Sequence, residues 1–337
     1  MPDGTERGEV LLRNRICLWL LALSLLLGGC AAPSAGGVLR QSAATPAIGS
    51  LFEKKQETAA AAEPEAEAGP YVAPPMEEAA FHPELAETGQ RVMLDLSAVS
   101  DGVVAVSAQS DKRLKFQVVK GEETYNYNLA SDGTPSIFPL QCGDGEYRFR
   151  VMENVVDKKY AELFSRTVDV KLSDPFAPFL RPSDYVNFNA DSACVKKAAE
   201  LAKTAGTPLG LVAAVYGFVC QTVRYDEELA RTVKSGYLPV PDRTMLSGKG
   251  ICFDYAALAA SMLRSQGIPT RMVFGYVAPD QLYHAWNMFY TEETGWVTVS
   301  FEVSANSWVR LDLTFAANGA DSQFIGDGSN YADVYYY

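Results

Sequence analysis

The sequence predicts two folded units in series, an all-β unit at residues 89–173 and an α+β unit at residues 174–337. The first unit holds short segments in which apolar and polar residues alternate. The second opens with helical apolar spacing and closes with strand-like segments. The chain has 337 residues, more than one domain usually holds, and 48% of them are hydrophobic, which suffices for two ordinary cores.

Residues 1–30 have the pattern of an export signal. Arginines precede an apolar run from Ile16 to Leu27, and this run is shorter than the roughly 20 residues that a membrane-spanning helix needs. The run leads into Gly28-Gly29-Cys30, which resembles the bacterial lipobox, where lipid is attached to the cysteine. We therefore expect a lipoprotein held on the cell membrane through Cys30 and facing outside the cytoplasm. The alternative is an ordinary cleaved signal.

Residues 31–88 predict a disordered tether rich in Ala, Glu and Pro. Few of these residues are aromatic or β-branched, so the segment buries too little surface to offset the entropy of ordering. Residues 31–90 hold nine acidic and three basic side chains, which is half of the chain's net charge of −12. The rest of the chain shows no basic stripe, which argues against a nucleic-acid partner.

Residues 89–173 predict an antiparallel sandwich of immunoglobulin-like type, because short strands recur between Gly/Asp turn clusters. Nothing in this unit suggests chemistry, and a spacer or docking module is the simplest interpretation. The expected strands are Val92–Leu96, Val103–Val106, Leu114–Val119, Tyr125–Leu129, Tyr147–Val151 and Thr167–Val170.

Residues 174–337 predict helices followed by an antiparallel sheet. One helix covers residues 191–205, Pro208 opens a second, and a Pro/Gly-rich loop at 234–250 leads to a third that begins near Cys252. Gly267 and Pro269 end that third helix. Strands are expected at residues 270–277, 282–290, 295–299 and 307–313, with a last one near 331–337.

Cysteine and histidine are few, which limits metal chemistry. Of six cysteines, Cys30 is the expected anchor and another lies in the signal, and the chain has only two histidines and no C-x-x-C. We expect no metal and no cofactor. Cys194 and Cys220 lie in helical patterns, where buried free thiols are favoured over a disulfide, and the state of Cys142 is open.

Cys252, His284 and Asp312 follow one another in the order typical of an activated-thiol catalyst. The positive end of a helix favours a thiolate at Cys252. An imidazole at His284 accepts or returns a proton, and a carboxylate at Asp312 orients that imidazole. The alternative is structural: a cysteine that packs, a histidine that is a satisfied core residue, and an aspartate that lies in a solvated turn.

The residues around these three carry a family resemblance. The segments Gly250-Ile251-Cys252-Phe253-Asp254-Tyr255-Ala256, Gly267-Ile268-Pro269-Thr270-Arg271, Gly275-Tyr276, His284-Ala285-Trp286 and Leu311-Asp312 closely resemble the transglutaminase-like superfamily. The family pattern is G-x-C-x-D-Y-A, G-I-P-x-R-x-V-x-G-Y, H-A-W and a late D-P-T. The resemblance covers about residues 190–318, and Leu313 departs from it where the family has proline.

This resemblance implies a papain-like fold with Cys252 as nucleophile, His284 as general base and acid, and Asp312 as orienting residue. The backbone N–H of Cys252 is a natural oxyanion donor, and Gln221 or Tyr225 are weak candidates for the second. The implied reaction is acyl transfer or hydrolysis at amide bonds of proteins or cell-wall peptides, including peptidoglycan stem peptides. Protein cross-linking and a non-catalytic surface scaffold are the alternatives. Trp286 and Trp296 either line the cleft or fill the core.

Overall fold

The computed structural model describes residues 69–277, 282–298 and 331–337. Its strands are β1 Glu87–Thr88, β2 Val92–Asp95, β3 Val103–Ala108, β4 Leu114–Lys120, β5 Glu123–Leu129, β6 Ser136–Pro139, β7 Gly145–Val156, β8 Lys159–Val170, β9 Arg224–Tyr225, β10 Lys249–Gly250, β11 Thr270–Val277, β12 Leu282–Thr291, β13 Gly295–Thr298 and β14 Tyr331–Tyr336. Its helices are α1 Ala193–Ala205, α2 Pro208–Thr222, α3 Glu227–Thr232, α4 Pro241–Ser247 and α5 Cys252–Arg264.

The upstream unit consists of two antiparallel four-stranded sheets. Their strand orders are β1-β2-β3-β6 and β5-β4-β7-β8. Alternating burial is clear along β4 and β5, whose inward residues are apolar and whose outward residues are polar. Phe116 of one sheet stacks on Phe138 of the other with ring centroids 4.9 Å apart. The β-rich character of the region is therefore as expected, and β1 and β6 are strands that the sequence pattern did not reveal.

Residues 69–88, which the sequence analysis assigned to the tether, lie along the folded body. Tyr71 donates its backbone N–H to Ala202 O at 3.0 Å and its hydroxyl to Gln266 O at 2.9 Å. Further along, Glu77 accepts from Arg181 at 2.7 Å. These hydrogen bonds and the ion pair of Glu77 with Arg181 hold this segment in place. Amino-acid composition does not reveal such contacts.

The downstream unit is built around α5. Three other helices, α1, α2 and α4, pack on it, and β11 and β12 cover another side. Residues Asp254 to Arg264 of α5 are all buried, so this helix is the centre of an α+β fold. The antiparallel sheet has strand order β13-β12-β11-β14, and β9 and β10 form a separate small parallel pair.

One continuous core joins the two units. Tyr127 of β5 meets Tyr337, which follows β14, with ring centroids 5.6 Å apart. Tyr185, in the segment between the units, lies 4.8 Å from Tyr337 and 5.3 Å from Phe253 of α5. Apolar packing therefore runs without a break from the upstream sheets to the first turn of α5.

Arg264 is a buried cation at the end of α5. Its guanidinium donates to the backbone carbonyls of Thr270 at 2.8 Å, Arg181 at 2.9 Å and Tyr337 at 2.9 Å. Burial lowers the pKa of Arg264 to about 9. A single side chain therefore fastens the helix to the start of the sheet, to the inter-unit segment and to the end of β14.

Across residues 69–277, 282–298 and 331–337, the structure has no helix with the length and apolar character to cross a membrane.

Candidate active site

Cys252 occupies the first helical position of α5 and is partly exposed. The preceding Ile251 is extended, with φ −96° and ψ 175°. Gly248 ends α4 in the left-handed conformation with φ 62°, so the chain turns sharply between the two helices. The N–H groups of a first helical turn have no intrahelical acceptor. The thiol therefore lies beside unpaired donors and the positive end of a buried helix, as the sequence predicts.

Asp254 closes this first turn from inside. Its Oδ2 accepts the backbone N–H of Ile251 at 2.9 Å, and its Oδ1 accepts the Tyr237 hydroxyl at 2.6 Å. Burial raises the pKa of the Asp254 carboxyl, and burial together with Asp254 raises the pKa of Tyr237 to about 12. A Cβ at Gly250 would lie 2.6 Å from Asp254 Cβ. Glycine before Cys252 is therefore a steric requirement of this arrangement.

The two faces of β12 meet different surroundings. Asn287 lies on the face that packs against α5, where its Nδ2 donates to Ala256 O at 3.1 Å. Because side chains alternate along a regularly paired strand, Tyr283 shares that face, and His284 and Trp286 share the opposite one. The stacked rings of His284 and Trp286, with centroids 6.5 Å apart, agree with this assignment.

His284 therefore lies on the strand next to the helix of Cys252, but not on the strand face that meets that helix. Its side chain is 4% exposed, and its partner across β11 is Gly275. The pairing of Cys252 with His284 stays a prediction. A direct contact between the His284 imidazole and the Cys252 thiol requires the imidazole to reach the thiol from the face of β12 that does not pack on α5.

Tyr283 lies on the face toward α5. Its ring stacks on Phe274 at 6.0 Å, and Phe274 meets Phe253 edge-on at 5.1 Å. Burial raises the pKa of Tyr283, and neighbouring phenols and Cys252 add to the rise. The phenol of Tyr283 therefore keeps its proton at neutral pH. A line of rings connects it to the residue beside Cys252.

Tyr276 and Tyr283 form an exposed aromatic shelf on β11 and β12. They pair across β11 and β12 with ring centroids 5.3 Å apart. They are 42% and 50% exposed, high values for side chains of this size. The two tryptophans that the sequence analysis weighed as cleft walls lie elsewhere. Trp286 is buried against Val273, and Trp296 stacks on Arg271 at 3.9 Å.

The segment that carries Cys252 and His284 matches a known family. Residues 195–301 match the model of the transglutaminase-like superfamily. Residues 195–301 form a transglutaminase-like domain. This assignment agrees with the resemblance that the motifs around Cys252 indicated. No curated protein matches the chain.

Several solved structures resemble this chain at low sequence identity. A candidate cysteine protease from Cytophaga hutchinsonii aligns at 16% identity and TM-score 0.34, over 75% of this chain and 80% of that one. Red sea bream transglutaminase aligns at 14% sequence identity and TM-score 0.26, over 58% of this chain and 47% of that one. A candidate protease from Parabacteroides distasonis ATCC 8503 aligns at 14% sequence identity and TM-score 0.27. This alignment covers 67% of this chain and 44% of that one. The family assignment rests on the match at residues 195–301.

The structure describes only some of the remaining predicted site residues relative to the first turn of α5. Tyr225 of β9 pairs in register with Gly250 of β10, which places its backbone beside the approach to Cys252. Gln221 is exposed in the last turn of α2. The structure does not bring Gln221 into a described contact with Cys252. Asp312 and Cys30 lie outside the described residues.

The other described cysteines of the chain differ from Cys252. All four described cysteines are free, and burial raises the pKa of Cys142 and of Cys194. Cys194 is fully buried beside Asp242, so its thiol stays neutral and inaccessible. In the described part of the chain no three His, Cys, Asp or Glu side chains cluster as metal ligands do.

Proposed function

We propose that the protein is a cysteine-dependent enzyme that transfers or hydrolyses acyl groups at amide bonds of proteins or cell-wall peptides. The observation that carries the proposal is Cys252, a partly exposed thiol on the first turn of an otherwise buried helix within the transglutaminase-like domain. Cys194 also lies on the first turn of a helix, α1, but it is buried and its backbone N–H is bonded to Asp242, so exposure distinguishes Cys252 from it.

In the proposed reaction the Cys252 thiol gives its proton to His284 and its sulfur forms a bond to the amide carbonyl carbon, while the carbonyl oxygen takes negative charge. The backbone N–H of Cys252 is the proposed oxyanion donor. The carbon–nitrogen bond then breaks, and the amine leaves with a proton from His284, which Asp312 orients. Water next gives a proton to His284 and its oxygen bonds to the acyl carbon. The carbon–sulfur bond then breaks, the acid leaves, and His284 returns the proton to the Cys252 sulfur.

The aromatic shelf supports a preference for apolar side chains next to the reacting carbonyl. Tyr276 and Tyr283 together offer exposed ring surface, and Tyr283 lies close enough to Cys252 for that residue to raise the pKa of the phenol. Aromatic surface binds apolar and aromatic groups through burial, at roughly 25 cal/mol for each Å² removed from water. We therefore propose that acyl donors with a bulky apolar residue react faster than their glycine counterparts.

The test is direct trapping of the acyl-enzyme. The purified chain is mixed with a peptide thioester, and intact mass is recorded within seconds, with C252A as the variant and C220A as the matched control. We expect one acyl group on the wild-type chain and on C220A, and none on C252A. Acylation of C252A at the wild-type level would contradict the assignment of the nucleophile.

The same sample separates the three outcomes that the sequence left open. An amine such as dansyl-cadaverine is added with casein as the acyl donor. Free acid without incorporated amine supports hydrolysis, whereas incorporated amine indicates cross-linking. No acyl-enzyme with any donor, together with an alkylation rate at Cys252 no faster than that of free cysteine, indicates a non-catalytic scaffold.

We also propose that Cys30 carries lipid, so that the enzyme faces outside the cytoplasm on the membrane and the upstream sheets, as an immunoglobulin-like module, hold the thiol away from it. The Gly28-Gly29-Cys30 sequence supports this. Globomycin blocks the peptidase that matures bacterial lipoproteins. Accumulation of a precursor in treated cells is expected, and normal maturation would contradict lipidation.

A further inference from the structure

A cationic cleft lies on the outer face of the upstream sheet β5-β4-β7-β8. It is a cavity of about 510 Å³ whose walls include Arg113, Lys115, Lys158, Asn126 and Tyr160. Three cations therefore face a space in which the single acidic wall residue is Asp157. In a chain of net charge −12 such a concentration of positive charge is unusual.

These three cations differ from their neighbours in having no ion pair within the described residues. On the same sheet Arg148 and Arg150 both pair with Glu162, with contacts of 2.9 and 2.7 Å. Arg113 instead donates to a backbone carbonyl, that of Asp157, at 2.9 Å. The cleft thus retains a positive field that an anion can enter, whereas Arg148 and Arg150 share a carboxylate.

The rim of the cleft is apolar as well as basic. Val155 and Val156, at the tip of the β7–β8 hairpin, are 60% and 51% exposed, and the hairpin continues directly into the cleft residue Lys158. Lys115 lies over the ring of Tyr160, 5.8 Å from its centroid. Apolar side chains beside cations match a peptide that carries both carboxylates and aliphatic groups better than they match a purely polar polymer.

The cleft is continuous with the loop that closes the catalytic turn. Ser235 lines the cleft. The next residue, Gly236, lies against the side chain of Asn128 on β5, because a Cβ added at Gly236 would be 3.6 Å from Asn128 Nδ2. Tyr237 then donates to Asp254 at 2.6 Å, two residues beyond Cys252. The segment Ser235 to Tyr237 therefore spans from the cleft to the first turn of α5.

We infer that this cleft docks an acidic segment of the polypeptide substrate and directs the adjoining chain toward Cys252. The inference rests on the proposed function, since it names the substrate class of that site: an extended peptide with alternating carboxylate and aliphatic side chains. Because exposed charge pairs are screened by salt, binding at this cleft weakens as ionic strength rises.

The test is fluorescence anisotropy on the full chain carrying C252S, so that binding is read without turnover. The probes are fluorescein-labelled octapeptides of alternating alanine and glutamate, with glutamine and lysine counterparts. We expect only the glutamate peptide to bind, with affinity lowered about tenfold by K115Q/K158Q and several-fold by V155S/V156S. The matched control K196Q/K203Q removes the same charge from α1 and is expected to change affinity less than about twofold.

Several results would overturn the inference. Equal binding of the glutamate and glutamine peptides, or an equal loss with K196Q/K203Q, would show that the cleft does not select carboxylates. Competition by inorganic polyphosphate with no effect of V155S/V156S would indicate a simple anion site. A tenfold gain in affinity when Glu63, Glu65 and Glu67 are changed to Gln would indicate that the chain's own acidic segment occupies the cleft. Failure of the acyl-enzyme test with normal peptide binding would reject the proposed function alone.

Discussion

At the scale of single residues, two side chains and one missing side chain set the geometry around Cys252. Asp254 caps the first turn through the Ile251 N–H, Tyr237 holds Asp254 from the neighbouring loop, and Gly250 leaves space for both. The motif around Cys252 identified Gly250 and Asp254 in sequence, and Tyr237 lies outside that motif. It did not reveal that Asp254 acts through a buried hydrogen-bond pair rather than at the surface of the turn.

Gly250→Ala tests the steric requirement. Its Cβ would lie 2.6 Å from Asp254 Cβ, so we expect about 1–3 kcal/mol of lost stability and slower alkylation of Cys252. Gly217→Ala is the control, because nothing lies within 4 Å of its added Cβ. That change should stabilise α2 by up to about 1 kcal/mol. Urea unfolding and iodoacetamide kinetics measure both, and equal stability of the two variants would contradict the packing described.

Arg264→Lys tests the buried cation. The lysine ammonium lacks the planar set of N–H donors with which the guanidinium reaches three carbonyls. The variant therefore leaves buried acceptors unpaired and should lose about 3 kcal/mol of unfolding free energy. Arg231→Lys, at an exposed position in the last turn of α3, should change stability by less than about 0.5 kcal/mol. Chemical denaturation compares them. A loss at Arg264 no larger than at Arg231 would remove the fastening role.

At the scale of elements, α1 receives its N-terminal cap from a distant residue, and α5 is bonded to a distant strand. Asp242 of α4 accepts the N–H groups of Ala193 and Cys194, both at 2.9 Å, and so caps α1. Asn287 of β12 bonds to Ala256 in the second turn of α5. Sequence patterns predicted the bounds of α1, α2, α5 and β11 closely, because each carries a full apolar period and a local stop signal. Pairings such as these depend on tertiary packing and were not foreseeable.

Asp242→Asn gives a pH-dependent prediction. Burial opposes ionisation of Asp242, but the two N–H bonds outweigh it and lower the pKa of the carboxyl. A lowered pKa means that the carboxylate stabilises the fold above its unfolded pKa, near 3.9, and that this stability is lost as pH falls through the folded value. The variant should be less stable by about 1–2 kcal/mol at pH 7. The difference should shrink below about pH 4.

Thermal unfolding of Asp242→Asn across pH measures this, with the exposed Asp191→Asn as its control. Asp191 is 102% exposed at its side chain and contacts Lys196 at 3.9 Å, so its loss should be small at every pH. A deficit in Asp242→Asn that is constant from neutral to acid pH would contradict an ionised cap.

At the scale of the whole molecule, the upstream sheets and the transglutaminase-like domain share one core. The rings of Tyr127, Tyr185, Tyr337 and Phe253 connect them without a polar layer. The sequence predicted a β-rich region followed by an α+β region, and the structure contains both. It did not predict the shared core, because the contacting tyrosines lie far apart in the chain and their patterns read as ordinary strand residues.

The shared core predicts a single cooperative unfolding transition. Tyr127→Leu removes ring contacts to Phe138 at 4.4 Å and Tyr337 at 5.6 Å, and should lose about 2 kcal/mol. It should expose Cys194 to alkylation at the same lowered temperature at which the upstream sheets melt. Leu246→Ala, at a side chain 78% exposed, is the control. Calorimetry that resolves two peaks, only one of which moves, would contradict a shared core.

The central claim is that Cys252 is a nucleophile activated by His284. The fold places Tyr283 on the strand face that meets the helix of Cys252 and His284 on the other, so the two side chains offer rival sources of activation. The most direct measurement is the rate of iodoacetamide alkylation at Cys252, read by peptide mass spectrometry, in the wild type, in H284Q and in Y283F. The account predicts a loss of at least about tenfold in H284Q and less than about twofold in Y283F. A larger loss in Y283F, or no loss in either variant, would contradict it.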